Sequence, residues 1–131
     1  MDIIVLLTQT LLSITLGGLL GWQRHHMGKS AGFRTFAIVT LASMLVTHLS
    51  LEVFSTDPAR VAAHVLTGIG FIGAGIIFHK KDTIDGLTTA AGFWATAIIG
   101  MSIGSGWYTE AAIVTAAIFL LLIFPDKKLL K

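Results

Sequence analysis

Two histidines, His48 and His64, lie within long apolar segments, and they are the first residues whose type could support chemistry. Because an ionisable side chain inside a bilayer is costly, each is a candidate for a functional role. A neutral imidazole costs less than a carboxylate, so a packing histidine is the interpretation favoured for both. No Asp or Glu occupies the centre of an apolar segment, and Mg²⁺ normally takes oxygen ligands that include a carboxylate. A pathway for divalent cations through one chain is therefore disfavoured, whereas one lined by carbonyls and hydroxyls, or one at an oligomer axis, stays open.

The remaining charges gather where the apolar segments end. One group consists of Glu52, Asp57, Arg60 and Glu110, and the other of Arg24, Arg34, Asp82 and Asp85. We expect Asp57 and Arg60 to form a pair at the start of the third apolar segment. An interfacial anchor or a loop salt bridge explains Arg34 and Arg60 as well as a functional role does.

Residues 68–75, GIGFIGAG, match the dinucleotide-binding pattern G-x-G-x-x-G through Gly68, Gly70 and Gly73, and Gly75 follows. That pattern works only between a strand and a helix, with an acidic residue about 20 positions further on. Here it lies in the middle of an apolar segment, so nucleotide binding is excluded. The glycines predict close packing of neighbouring helices; a locally unwound helix whose carbonyls line a pathway is the alternative.

The sequence offers little to an enzyme. It has no cysteine, and it lacks G-x-S-x-G, H-E-x-x-H and P-loop motifs. His25, His26 and His79 fall near one another in the expected topology, but histidines without spaced partner ligands are a weak metal signal. We therefore expect no enzymatic activity, no cofactor and no metal site.

The elements that must position these residues are membrane-spanning helices. Of the 131 residues, 54% are hydrophobic and 12% are charged, against about 25% charged in a typical soluble domain. Since a helix needs about 20 apolar residues to cross a bilayer, the sequence predicts an all-α bundle of five spans in one transmembrane domain, residues 1–131. The expected spans are residues 3–21, 36–51, 61–78, 87–104 and 108–124.

The distribution of lysine and arginine predicts the orientation. Eight of the nine cations fall on one side of the predicted topology, and only Arg60 falls on the other. By the positive-inside rule the N-terminus lies outside and the C-terminus in the cytoplasm. The basic pI of about 9.2 is then a sign of the cytoplasmic side, and we expect no nucleic-acid partner.

Small residues recur at four-residue spacing and predict tight helix contacts. One ridge comprises Thr88, Gly92, Thr96, Gly100 and Gly104, and another comprises Gln9, Ser13, Gly17 and Gly21. Thr40, Ser43, Thr47 and Ser50 form a polar face that must point away from lipid. These ridges predict a compact bundle and a homo-oligomer, with a dimer favoured.

Three stretches resemble the membrane domain of the MgtC/SapB family. Residues 21–24, GWQR, with residues 31–35, AGFRT, are similar to its first signature. The second comprises residues 57–62, DPARVA, followed by residues 68–75. The third is residues 86–91, GLTTAA, with Trp94 after it. The matches follow the family's order and cover nearly the whole chain.

The resemblance implies a multi-pass protein of the bacterial inner membrane, associated with growth or survival at low magnesium, acid resistance and virulence. One line of the family is linked to inhibition of the F-type ATP synthase, and magnesium transport by the family is doubtful. The positions expected to matter on this basis are Arg24, Gly32, Arg34, Thr35, Asp57, Arg60, His64, Gly68, Gly70, Gly73, Gly75, Gly86, Thr88, Thr89 and Trp94.

Three features depart from the family pattern. Gln23 and His25 replace the acidic residues on either side of Arg24, and His64 replaces a glutamine. Many members also carry a soluble C-terminal domain, whereas this sequence ends at Lys131.

Two functions follow. The first is a non-enzymatic regulator that docks other membrane proteins through its small-residue ridges. The second is a small oligomeric transporter or channel for Mg²⁺, K⁺ or H⁺, with Asp57, Arg60 and His64 at its outer mouth.

Overall fold

The computed structural model describes residues 2–54, 56–81 and 83–124, apart from the side chain of Lys80. This part of the chain forms five α-helices and one short β-hairpin. The elements are α1 (Ile3–His26), α2 (Phe33–Glu52), α3 (Pro58–Ile76), β1 (Phe78–Lys80), β2 (Thr83–Asp85), α4 (Leu87–Gly104) and α5 (Tyr108–Ile123). Within the described residues, α1 to α4 are long and apolar enough to cross a membrane, and α5 is shorter, at 16 residues. The predicted helical membrane architecture is confirmed, and the hairpin is an addition to it.

Contacts along the helices fix their directions. Gln9 and Gln23 of α1 contact α5 at Tyr108 and Leu122 respectively, so these two helices run parallel. Arg24, near the end of α1, donates a hydrogen bond to Thr89 at the start of α4, so α1 and α4 run antiparallel. One end of the bundle therefore holds the C-termini of α1, α3 and α5 with the N-termini of α2 and α4. We call it the Arg24 end, and the opposite end the Asp57 end.

The core lies between α1, α2 and α4, and glycine makes that contact close. A Cβ on Gly17 or Gly100 would overlap Thr40 of α2, and one on Gly104 would lie 3.0 Å from the Cβ of Thr47. The rings of Phe36 and Phe93 fill the space nearer the Arg24 end, with centroids 4.6 Å apart. The small-residue ridges of α1 and α4 therefore pack inside this chain, against α2.

Six helix ends differ from the predicted spans. Helices α2 and α3 begin three residues earlier than expected, at Phe33 and Pro58, α2 ends one residue later, and α5 ends one residue earlier. Helix α1 continues five residues past the expected end, to His26, because nothing breaks the helix before Gly28, which has φ +68°. The hydropathy of the sequence predicts only the part of a helix that lies in lipid. The helix itself continues until the backbone conformation changes, here at Gly28. Helix α3 ends at Ile76, two residues before the expected limit, because the chain turns into the hairpin, where Phe78 pairs with Asp85. Asp82 and the tail cations Lys127, Lys128 and Lys131 lie outside the described residues.

Candidate functional site

Arg24 forms the centre of the candidate site at the Arg24 end. It lies in the last turn of α1, and its side chain is only 4% exposed. One guanidinium nitrogen, Nη2, donates a hydrogen bond of 2.9 Å to Oγ1 of Thr89 in the first turn of α4. A hydrogen bond from an ionised donor is about twice as strong as a neutral one. The two motif residues, 65 positions apart in sequence, thus join the ends of two helices.

Gly86 allows α4 to begin directly after the hairpin. It is the N-cap of α4, with φ +90°, in the left-handed region that glycine favours. A Cβ here would overlap the carbonyl oxygen of Ile76 and lie 3.0 Å from its carbonyl carbon. The GLTTAA stretch thus contains a glycine that brings α4 against the end of α3, and Thr89 three residues later that receives Arg24.

Gly32 contributes through its backbone. A Cβ on Gly21 of α1 would lie 2.5 Å from the carbonyl oxygen of Gly32, which caps the N-terminus of α2. The two glycines bring the end of α1 and the start of α2 into contact around buried Ala31. Arg34 and Thr35, in the first turn of α2, are exposed and stand apart from the Arg24–Thr89 contact.

Gln23, at a position where the family pattern has an acidic residue, forms a buried hydrogen bond between α1 and α5. Its side chain is 6% exposed, and its Nε2 donates a hydrogen bond of 2.6 Å to the carbonyl oxygen of Leu122 in α5. An ionised glutamate in its place could only accept hydrogen bonds. The amide therefore ties α5 to α1 at the Arg24 end, a role that the sequence pattern did not reveal.

A cavity of about 400 Å³ opens beside Arg24, with Lys29, Asp85 and Thr88 among its lining residues. Asp85 ends β2 and Thr88 lies in the first turn of α4, so the hairpin and α4 bring both to the cavity. The Arg24 end therefore contains charges of both signs around a space open to ligands.

Asp57, Arg60 and His64 lie at the Asp57 end, far from Arg24. Asp57 caps α3, and its Oδ2 lies 3.4 Å from Nε of Arg60, which is the expected pair. Both side chains are mostly exposed, at 55% and 73% respectively, and His64 is exposed as well. Since α3 has 19 residues, Asp57 at its N-terminus is about 28 Å from the Arg24 end at 1.5 Å per residue.

The glycines of α3 divide into two classes. Gly73 is buried and faces Ala90 of α4, and a Cβ added to it would lie 3.7 Å from the Cβ of that residue. For Gly68, Gly70 and Gly75, no atom of the described residues lies within 4 Å of the position a Cβ would take. Residues 68–75 are regular helix, so the unwound alternative is wrong. Trp94 of α4 is half-exposed.

A buried polar group near the Asp57 end was not among the predicted site residues. Gln9 is 2% exposed, and its Nε2 donates to the carbonyl oxygen of Ile103 at 3.0 Å and lies 3.4 Å from the hydroxyl of Tyr108. Gln9 Oε1 and His48 Nε2 are buried and have no hydrogen-bond partner among the described residues. The sequence signals for this group were a glutamine on a small-residue ridge and a histidine within an apolar segment. The polar face of α2 is buried, as predicted.

Comparison with known proteins places these residues in a family. The model for the MgtC family matches residues 10–128. The chain is 48% identical over 100 residues to the Escherichia coli K12 protein named "Putative magnesium transporter YhiD", which covers 70% of this chain and 46% of that protein. It is 42% identical over 104 residues to Protein MgtC of Brucella abortus, covering 79% of this chain and 44% of that protein.

An uncharacterized protein of Haemophilus influenzae is 40% identical over 128 residues, 89% of this chain and 54% of that protein. The chain thus spans about half the length of the curated relatives it matches. No solved structure matches it.

Proposed function

Because the chain belongs to the MgtC family, we propose that it supports magnesium homeostasis in the bacterial inner membrane by regulating other membrane proteins. The Escherichia coli relative, whose name refers to magnesium transport, supports the connection to magnesium. Low-magnesium or acid stress, and virulence, are the settings in which we propose that it acts. The F-type ATP synthase is the proposed target, and no enzymatic step or cofactor is assigned to the chain.

The observation that carries this proposal is the chemistry of the helix interior. Among the described residues, the buried polar side chains between α1, α2 and α4 are hydroxyls, amides, His48 and the guanidinium of Arg24, without a carboxylate. Mg²⁺ gives up its water shell reluctantly and usually needs carboxylates to replace it. Glycine contacts also bring the three helices close along their length. This interior favours a packed scaffold over a magnesium carrier.

Helix α3 supplies the surface through which the chain would dock a partner. Only Ile69 and Gly73 of this helix are buried, and Phe71 is 85% exposed. Glycine in a helix costs about 1 kcal/mol relative to alanine, yet Gly68 and Gly75 relieve no close contact within the part of the chain that the structure describes. Small residues that let another helix approach are typical of helix association in lipid. We assign this outward face of α3 to a second copy or to the target protein.

The test uses vesicles that contain purified F-type ATP synthase with or without the full chain. The expected result is a lower rate of ATP-driven proton pumping when the chain is present. Gly68→Leu, which adds bulk to the outward face of α3, should restore pumping. Ala116→Leu, at an exposed position on α5, should leave the inhibition intact. Unchanged pumping with the wild-type chain would remove the synthase as the target.

A small oligomeric transporter or channel is the second candidate. It is favoured by the open glycines of α3, which would allow several copies to pack around a shared axis. Vesicles that contain the chain alone, loaded with dyes for Mg²⁺, K⁺ and H⁺, separate the two candidates. The regulator predicts no flux of any of these ions above that of empty vesicles. Flux that Gly68→Leu abolishes and Ala116→Leu preserves would establish the transporter instead.

A further inference from the structure

Two cavities adjoin at the Arg24 end of the bundle. The first, of about 400 Å³, is the cavity beside Arg24 already described. The second, of about 620 Å³, is a groove between α4 and α5. Residues that line both are Thr88, Leu121, Leu122 and Phe124. Both volumes fall in the range of small-molecule sites, and the shared lining residues place the cavities side by side, as two compartments that one ligand could occupy.

The first compartment is suited to a negatively charged group. Its described lining includes two cations, Arg24 and Lys29, and one carboxylate, Asp85. The hydrogen bond from Arg24 to Thr89 fixes the guanidinium at the cavity wall, while Lys29 is exposed and adaptable. Guanidinium and ammonium groups are the usual protein ligands of phosphate. The N-terminus of α4, which has no side-chain cap, adds partial positive charge to the same place.

The second compartment is apolar and faces outward. Its lining includes Ala91, Ala95 and Ile118 in addition to the shared leucines. Leu121 is 72% exposed and Phe124 64% exposed, so the groove opens onto the side of the bundle that contacts lipid. The small side chains of Ala91 and Ala95 create the depth of the groove. An extended hydrocarbon chain matches this shape and chemistry.

We propose that the two compartments together bind one anionic phospholipid, with its phosphate beside Arg24 and Lys29 and an acyl chain in the α4–α5 groove. A free phosphate ion would leave the groove without an occupant, and a zwitterionic lipid would bring a cation of its own close to Arg24 and Lys29. Basic pockets between membrane helices bind anionic headgroups in this way. The site is independent of the proposed regulatory function, since it is formed by the end of α1, the loop that follows it, β2, α4 and α5, and not by the outward face of α3.

The test is a lipid titration of the purified full chain, followed by native mass spectrometry with phosphatidylglycerol and phosphatidylcholine. Wild type should bind the anionic lipid more tightly than the neutral one. Lys29→Gln should weaken phosphatidylglycerol binding about fivefold, the effect of removing one cation near a headgroup. The matched control is Lys81→Gln, since Lys81 is exposed in the hairpin turn at the same end and lines neither cavity.

A second pair of variants tests whether an acyl chain occupies the α4–α5 groove. Ala91→Leu fills the groove from an exposed position on α4, so folding should be preserved, and it should weaken binding of both lipids. Ala116→Leu, on the opposite side of α5 from the groove, should have no effect. A far-UV circular dichroism spectrum equal to that of wild type verifies the fold of each variant.

Three results would overturn the assignment. Equal weakening by Lys29→Gln and Lys81→Gln would show that only general surface charge attracts the lipid. Unchanged binding in Ala91→Leu would show that no acyl chain enters the groove. Displacement of bound phosphatidylglycerol by inorganic phosphate at millimolar concentration would show a phosphate site without a lipid.

Discussion

Replacement of Gly86 by alanine should destabilise the protein more than the same replacement at any other glycine with positive φ. Among the described residues, the glycines with positive φ are Gly28, Gly86 and Gly106, at +68°, +90° and +82°. A Cβ on Gly28 or Gly106 would meet nothing within 4 Å, whereas one on Gly86 would overlap the carbonyl oxygen of Ile76. The three positions therefore share a backbone penalty and differ in steric surroundings.

The magnitudes follow from these two contributions. A left-handed backbone costs a residue with a Cβ about 1 kcal/mol, which is the whole expected effect at Gly28 and Gly106. At Gly86 the overlap adds about 1–3 kcal/mol, the usual cost of forcing extra volume into a packed site. Because the overlapping atom belongs to the backbone of α3, it cannot be relieved by a change of rotamer. Gly86→Ala should thus cost about 2–4 kcal/mol.

Reversible unfolding in mixed micelles of mild detergent and dodecyl sulfate measures these differences. Tryptophan fluorescence and far-UV circular dichroism should report the same transition for each variant. Gly28→Ala and Gly106→Ala act as matched controls that carry only the backbone penalty. Equal free energies of unfolding for the three variants would refute the close contact between Gly86 and α3.

Three further outcomes are expected from the same unfolding assay. Gln23→Glu should lower the free energy of unfolding by at least about 2 kcal/mol, because it removes a buried hydrogen-bond donor and buries a charge. An unchanged free energy of unfolding would mean that the α1–α5 hydrogen bond does not form. Thr89→Val should lower the free energy of unfolding by about 1.5–3 kcal/mol, because it removes the hydroxyl that accepts a hydrogen bond from Arg24. A double-mutant cycle with Arg24→Met should show coupling between the two side chains. Additive effects would contradict their contact. Asp57→Asn and Arg60→Gln should each change stability by less than about 0.5 kcal/mol, since exposed ion pairs contribute little; a loss above about 1 kcal/mol would show a larger structural role for this pair.

Hydropathy and spacing predicted the helices because burial in lipid imposes an apolar length on each span. They could not predict the last turn of α1 or the β-hairpin, which lie where lipid no longer selects for apolar residues. The strands have only three residues each, too few for an alternating pattern to be recognised. Backbone requirements at Gly28 and Gly86 determine where these elements end and begin.

The candidate site was predictable as a set of residues but not as an arrangement. The motifs named Arg24 and Thr89 without indicating that they touch, because that contact depends on how α1 and α4 pack. Nothing in the sequence separated Gly73, which packs against α4, from Gly68, where an added Cβ would contact none of the described residues. Such differences arise from the direction each residue faces in the folded bundle.

The contact between α2 and α4 restricts how the bundle can move. Gly92 lies against Phe36, Gly100 against Thr40 and Gly104 against Met44, so the two helices meet at three heights. A slide of α4 by four residues, about 6 Å, would push the bulkier Thr96 into the position of Gly100. A piston movement between these helices is therefore blocked. A change of shape that carries information from one membrane face to the other is then expected from tilting or rotation of the helices outside this pair, and α3 and α5 have the fewest buried residues, two and three.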